Sequence, residues 1–450
     1  MIAALLLATL VPDPSAWWKT YGDPVLVELV ERATETNLDV RKALARIRES
    51  RALAGVARSA LVPSLNWNSS AQQLRGGYQQ GIIRIPQGPE SGRAFVAPFE
   101  TGLVSSGLDA RWELSLWSAA GKQLNAARAD LAAAQEAAAD VRLMVAAEVA
   151  RNYFEARGLE RQLEVLENNR ARQADVLALT RERARAGLSP ELDVERQVAE
   201  LAALESEIPA LRAALRARMD ALAVLLADRQ FAQKPLPPSP PSWTIPELGD
   251  GVPSDLLLRR PDVRAAHARI LAAMARRKAA RAEIFPRVLL TGLAGRQATR
   301  FPDLTLGSGN FFAIGPQLVL PIFSGGRIRA GIEAADARLE QARLEYEQEL
   351  LVAFQEAEDA IAAYRAQQER IRKLEQARTS ARSSLDLSLD LYRAGLADYL
   401  NVLDAQRNVL ELERALAEAQ SNSLVQSVLL FKALAGGWPA PSTSSAGAFN

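Results

Sequence analysis

The 450-residue sequence contains no cysteine and a single histidine, His267. Without cysteine there is no thiolate nucleophile, no disulfide and no thiolate metal site. One histidine removes the His-pair zinc signatures and most acid–base dyads. The composition therefore argues against an enzyme, and no cofactor or metal site is expected. Aromatic residues make up only 6% of the chain. An excess of either charge is also lacking. The 54 basic and 53 acidic side chains leave a net charge of +1, so no nucleic-acid partner is expected. Long apolar runs are missing as well. Ile2 to Val11 spans ten residues, too short to cross a bilayer as a helix, and no Lys or Arg precedes it as in a secretory signal. Residues 1–15 read as a truncated signal segment, with export expected. The lack of a transmembrane helix leaves a β-barrel open, because barrel strands carry a much weaker sequence signal.

What the chain has in quantity is alanine, 82 residues, and arginine, 47 residues against 7 lysines. With Leu and Glu these are strong helix formers, so the composition reads as long helices. Length alone suggests about three domains. Self-comparison replaces that count with a duplication. Asp39-Val-Arg-Lys-Ala-Leu-Ala-Arg-Ile47 recurs as Asp262-Val-Arg-Ala-Ala-His-Ala-Arg-Ile270, seven identities in nine, and Pro63 matches Pro286 at the same offset of 223. Leu114-Ser-Leu-Trp-Ser118 returns as Leu320-Pro-Ile-Phe-Ser324, and Arg185-Ala-Gly-Leu188 as Arg393-Ala-Gly-Leu396.

Each copy has one architecture. The first repeat, 16–229, predicts helices over 36–61, 118–186 and 189–229, with strands within 63–117. The second, 252–438, predicts helices over 260–284, 324–394 and 397–435, with strands within 286–323. A Pro-rich linker, 230–251, joins them, and 439–450 reads as a disordered tail. Region 118–186 is about 100 Å long as one straight helix. The two shorter helices of a copy sum to nearly the same length, so stacked end to end they match it. Such helices need lateral neighbours, and homo-oligomerisation follows. Gly187 and Gly395 suit αL C-caps, Ser189-Pro190 supplies an N-cap and first-turn proline, and Asp398 caps the matching helix.

The strand segments alternate. Leu108, Ala110, Trp112, Leu114 and Leu116 lie against Gly107, Asp109, Arg111, Glu113 and Ser115; Leu65, Trp67 and Ala71 lie against Ser64, Asn66, Asn68 and Gln72. Eleven of the 26 aromatics fall within 63–117 and 285–323, which suits the interface girdles of an outer-membrane barrel. Soluble β-hairpins capping a helical bundle fit the same alternation. Four strands cannot close a barrel, since barrels start at eight; three chains supply twelve. The hairpin loops near 73–100 and 297–310 would then lie outside the cell.

Gly251-Val-Pro-Ser-Asp-Leu-Leu-Leu-Arg-Arg-Pro-Asp-Val-Arg-Ala-Ala266 resembles the hallmark segment of the TolC-like outer-membrane efflux factors, NodT-type subgroup. So do Phe285-Pro286 through Gly292, Pro321-Ile-Phe-Ser-Gly-Gly-Arg327, Tyr392-Arg-Ala-Gly-Leu-Ala-Asp-Tyr-Leu-Asn-Val-Leu-Asp-Ala-Gln-Arg407, and the opening Ala16-Trp-Trp-Lys-Thr-Tyr-Gly-Asp-Pro24. The resemblance implies a mainly α protein with a β membrane part: a homotrimer with a 12-stranded transmembrane β-barrel and a periplasmic α-barrel. It implies passive export of drugs or metal ions across the outer membrane, in contact with its lipid. The partners it implies are a periplasmic adaptor (membrane fusion) protein and an inner-membrane transporter of the resistance-nodulation-division type. The alternative is a soluble coiled-coil scaffold or periplasmic tether without channel activity.

The sequence departs from the subgroup in two ways. Many members carry a lipidated N-terminal Cys, so lipid anchoring is expected to be absent from this form. His267 stands where an acid is usual and reads as a surface or inter-helix residue. The resemblance also places a gate at the helical tips. Leu400 corresponds to an apolar constriction position and Asp404 to an acidic ring position, with Asn401 where some relatives carry a second acid. Asp193 matches an acid that tethers the closed state, with Tyr392 as partner and Arg185 and Arg393 in the same network. Spacing alone offers a plainer role, because the acids lie early in helices and the arginines late.

Overall fold

A computed structural model describes residues 16–76, 99–114, 117, 119–238, 240, 243, 258–298 and 309–435. The signal-like segment 1–15, the tail 439–450, residues 251–257 of the hallmark segment and most of the two hairpin loops lie outside the described residues. Seven α-helices and four strands are described: α1 Pro24–Thr36, α2 Leu38–Ser59, β1 Ser64–Gly76, β2 Phe99–Leu114, α3 Ala119–Arg185, α4 Glu191–Leu225, α5 Pro261–Ala282, β3 Arg287–Ala298, β4 Asn310–Val319, α6 Arg327–Arg393 and α7 Tyr399–Ala433.

The duplication survives to the residue. Helices α2 and α5 have 22 residues each, α3 and α6 have 67, and α4 and α7 have 35. No described helix is long and apolar enough to cross a membrane. Each of the six expected helices is slightly shorter than its sequence predicts, and α1, with the 3-10 turn Trp17–Tyr21 before it, lies outside the predicted helices. The chain divides into two compact units, each built from both copies. One holds Met1–Arg48, Ala132–Ala268 and Leu344–Asn450; the other holds Glu49–Leu131 and Arg269–Arg343.

In the helical unit the first turn of α2 meets the last turn of α4. The Asn37 side-chain carbonyl accepts the N–H groups of Asp39 and Val40 at 2.8 and 3.3 Å, capping α2, while its amide donates to the Leu225 carbonyl at 2.9 Å. The Thr36 hydroxyl donates to the Leu226 carbonyl at 2.9 Å. Helix-end groups that otherwise lack partners are thereby satisfied. Arg260, 223 positions later, does the same work in the second copy. It donates to the Ala433 carbonyl at the end of α7 and grips Asp262 and Glu356, both at 2.6 Å. Each copy thus splices two short helices end to end, as their summed lengths predict.

The main core of this unit gathers Trp17, Trp18, Tyr21, Leu26 and Val30 against Tyr153 and Phe154 of α3, Leu222 of α4 and Val428 and Phe431 of α7. Trp17 stacks on Phe431 with ring centroids 5.2 Å apart. Buried Asp23 fixes the arrangement. One carboxylate oxygen caps α1 through the N–H groups of Val25 and Leu26. The other accepts the Tyr153 hydroxyl at 2.6 Å and the Trp243 indole N–H at 2.9 Å. Near the middle of α7, buried Glu413 accepts from Asn169, Arg172 and Arg382, each at 2.9 Å. Burial pushes its carboxyl up, but the Asn169 and Arg382 hydrogen bonds and the Arg172 charge outweigh it and hold it below the usual range.

The other unit carries one antiparallel sheet of order β1-β2-β3-β4. Asn68 donates to Asp109, and Ser70 and Ser105 share a hydrogen bond at 2.9 Å, so one face is polar. Leu65, Trp67, Phe312, Ile314 and Leu318 of the alternate positions are exposed. Gly107 faces Gly295 across β2 and β3, and a Cβ on Gly107 would come within 2.6 Å of the Ala294 carbonyl oxygen. Exposed His267 lies 6.0 Å from Tyr346, ring to ring, between α5 and α6.

One carboxylate beside the Arg260 splice is poised to titrate. Burial and then the Asp262 charge push Asp140 up to about 6, against Arg260 and Lys432. Its folded pKa is raised, so the folded state holds more protons than the unfolded one between about pH 4 and 6 and loses stability as pH rises through that window. Asp140→Asn is expected to stabilise the protein by roughly 1–3 kcal/mol at pH 7 and to change little at pH 4. Thermal unfolding at the two pH values checks this.

Candidate functional site

Two helical hairpins, α3–α4 and α6–α7, turn in the same way. Gly187 and Gly395 adopt left-handed conformations, φ +71° and +73°. The Leu188 N–H reaches back to the Arg183 carbonyl at 2.8 Å, and the Gly187 N–H to the Ala184 carbonyl at 3.0 Å. Leu396 and Gly395 repeat both bonds onto Leu391 and Tyr392. These are Schellman caps, and they need glycine because a Cβ is disfavoured at positive φ. The N-caps differ from expectation. Pro190, with its extended ψ of 150°, is itself the N-cap of α4, and the Ser189 hydroxyl is buried without a partner. Asp398 is the N-cap of α7, but its side chain makes no capping bond.

Behind the turns the hairpins are joined by a buried cluster of Tyr392, Tyr399, Val402, Leu403 and Val176. The Tyr399 hydroxyl donates to the Gln197 side-chain carbonyl, and the Gln197 amide donates to the Gln173 backbone carbonyl at 3.0 Å. One polar chain therefore ties α7 to α4 and α4 to α3. Burial raises the Tyr399 pKa, and the charges of Tyr392 and Asp193 add to it, so the phenol stays a donor. The Arg183 guanidinium lies 4.6 Å from the centre of the Tyr392 ring and donates to the Arg393 carbonyl at 3.4 Å.

The expected tether is rearranged. Asp193 is buried, as a tether needs, but its ion pair is with Arg196 at 3.9 Å. Tyr392 is buried with no hydrogen bond to its hydroxyl, so it is not the partner of Asp193. Tyr399 takes the polar role because, one turn past the glycine, its hydroxyl reaches Gln197. Arg185 and Arg393 are exposed, and Arg393 pairs with Asp390 at 3.4 Å. Two residues of helix rotate a side chain by about 200°, which is why Arg183 faces the second hairpin and Arg185 does not. Sequence reasoning missed Arg183, Gln197 and Tyr399. Asn401 and Asp404 lie together on one polar groove between α6 and α7, with Ser384, Ser388 and Asn408. Leu400, one turn before Asp404, is half-exposed.

Comparison with known proteins agrees with the fold. The family model described as outer membrane efflux protein matches residues 29–228 and 252–436. The chain is 30% identical over 440 residues to the pyoverdine export outer membrane protein OpmQ of Pseudomonas putida, covering 97% of this chain and 90% of that protein. The structure of the outer-membrane channel OprN superposes with a TM-score of 0.85 at 31% identity, over 94% of this chain and 93% of that one. The outer membrane protein VceC of Vibrio cholerae gives a TM-score of 0.81 at 28% identity, over 94% of this chain and 99% of that one.

The two buried tyrosines are expected to respond differently. Tyr399→Phe leaves the Gln197 carbonyl without its donor and should cost about 1–2 kcal/mol. Tyr392→Phe removes a hydroxyl that bonds to nothing and should be neutral or slightly stabilising. Thermal or denaturant unfolding of the two variants separates them.

Proposed function

The chain belongs to the outer membrane efflux protein family, and from that premise we propose that it is a passive conduit gated where its helical hairpins turn. It is an outer-membrane channel of a tripartite efflux system. One observation carries the reading: a four-stranded sheet with an exposed apolar side, in the same chain as duplicated 67-residue helices. Trp67, Phe312 and Leu318 are 69%, 76% and 66% exposed. Lipid suits such a face, whereas a soluble scaffold would hold it against water. Three copies supply the twelve strands that close a barrel.

In the trimer Asp404 would form a ring of three carboxylates, with Asn401 beside it and Leu400 narrowing the opening. A narrow acidic ring favours cations. The closed state is held by the Tyr399–Gln197–Gln173 chain and by Arg183 against Tyr392, and opening parts α6–α7 from α3–α4. Energy comes from elsewhere: a periplasmic adaptor couples the channel to an inner-membrane transporter of the resistance-nodulation-division type. Relatives named for pyoverdine, toluene and cation efflux align along more than nine-tenths of this chain. The same conduit therefore serves unlike cargoes, and selection belongs to the pump and adaptor.

Single-channel recording of the purified trimer tests the gate. Asp404→Ala is expected to raise conductance or weaken divalent-cation block by about twofold or more. Unchanged currents together with unchanged block would remove Asp404 from the pore.

A further inference from the structure

The sheet's two outer strands, β1 and β4, each pair on one side only within the chain. The trimeric channel reading, on which this inference rests, brings β4 of one subunit against β1 of the next. The chain itself contains a template for that seam. Strand β3 is the second-copy counterpart of β1, and β4 is the counterpart of β2. The β2–β3 junction is therefore the second strand of one copy against the first strand of the copy that follows, which is also what β4 against a neighbour's β1 would be.

The correspondence is explicit. Leu108, Leu114 and Trp117 match Ile314, Leu320 and Phe323 at an offset of 206, and Pro63 matches Pro286 at an offset of 223. Strands β1 and β3 each begin at the residue after that proline. Inside the chain Arg111 opposes Thr291 and Trp112 opposes Leu290. Carried three residues past the strand end, the same register sets Trp117 opposite Phe285, and their rings stack 6.2 Å apart at an interplanar angle of 3°.

We propose that the seam between subunits repeats this register. Gln317 then opposes Asn68 of the partner subunit, Leu318 opposes Trp67 of the partner subunit, and Phe323 opposes Val62 of the partner subunit. The last pair is the counterpart of the Trp117–Phe285 stack, and in the single chain it is left open: Phe323 is 91% exposed and Val62 is 55% exposed.

Barrel geometry limits the alternatives. Following the registers from Leu65 to Ala110, Gly292 and Ile314 and then across the seam arrives at Ala71 of the partner subunit, six residues further along. Three subunits accumulate a stagger of about 18 residues, which tilts twelve strands by about 45°, within the usual range. Sliding the seam by one residue would turn the apolar face inward. Sliding it by two in one direction raises the tilt to about 54°. Sliding by two in the other gives about 35°, which closes but sets Phe323 against Ala60 of the partner subunit and loses the counterpart of the stack.

Because the chain has no cysteine, the register is readable by cross-linking. Gln317 and Asn68 are exposed and polar, and directly opposed strand residues lie about 4.5–5.5 Å apart, within disulfide range. Oxidising outer membranes that carry Gln317→Cys with Asn68→Cys is expected to give covalently closed trimers as the main species on non-reducing denaturing gels. Gln317→Cys paired with Asn66→Cys or with Ser70→Cys, each two residues out of register, should stay mostly unlinked. Arg111→Cys with Thr291→Cys, the counterpart pair within one chain, reports whether this strand geometry oxidises. Stronger linkage through position 66 or 70 overturns the register. So does a trimer that links through none of the three while the Arg111 and Thr291 pair closes. A cysteine-free parent that is monomeric by native mass overturns the channel reading instead.

Discussion

A helix of 67 residues cannot stand alone in water, and this constraint organises the rest of the chain. It needs a lateral partner of its own length to cover its apolar positions. The sequence supplies that partner in two pieces, 22 and 35 residues long, which must meet without leaving two raw helix ends between them. Asn37 in one copy and Arg260 in the other meet the need by different chemistry. Asn37 is a compact cap that serves both helix ends with one amide. Arg260 spans further and brings Asp262 with it, whose charge adds to burial in raising the pKa of Asp140. Glu413 adds a charged clamp across α3, α6 and α7. Its depressed pKa means that this contribution is complete above the unfolded carboxyl pKa and is lost as pH falls through the folded value.

The N-terminal segment closes the joint from outside. Asp23 satisfies four donors at once, two from the start of α1, one from α3 and one from the linker. A buried carboxylate is tolerable only when its lone pairs are filled in this way. The largest aromatic cluster of the helical unit lies around it, against Phe431 near the end of α7. Segments far apart in sequence thus converge on one level of the structure, and the two copies are tied there as well as through their long helices.

Much of this was legible in the sequence because it repeats. The offsets of 223 and 206, and that of 208 between Gly187 and Gly395, preserve helix lengths and the two glycine turns, since a turn at positive φ and a helix end leave their mark in single residues. The strands were legible because alternation with period two is a local property. Helix α1 left a signal that went unread: Asp23-Pro24 is a cap and first-turn proline, and Leu26, Leu29, Val30 and Ala33 recur at helical spacing. The hairpin contacts were not legible in the same way. Whether Arg183 or Arg185 faces the second hairpin, and whether Tyr392 or Tyr399 reaches across, depends on the rotation of one long helix about another. That rotation is set by packing along dozens of residues and by no local motif. The family position carried over for Asp193 names Tyr392 as its partner, whereas the ion pair Asp193 makes here is with Arg196 on its own helix.

The sheet inverts the usual relation between burial and hydrophobicity. Its apolar positions are exposed, its polar positions bond to one another across strands, and two of its strands pair on one side only. In water such a surface invites strand addition and aggregation. No single remedy is enough. Lipid covers the apolar face but cannot satisfy backbone groups at an open edge. Strand pairing with other copies satisfies the edges but leaves the apolar face wet. The two costs are removed together only when the strands are joined to other copies and placed in the bilayer. The helices escape this coupling because their backbone is satisfied internally at any stage. Assembly therefore draws its cooperativity from the strands, which make up the smaller part of the chain and carry the exposed Trp67 and Phe312.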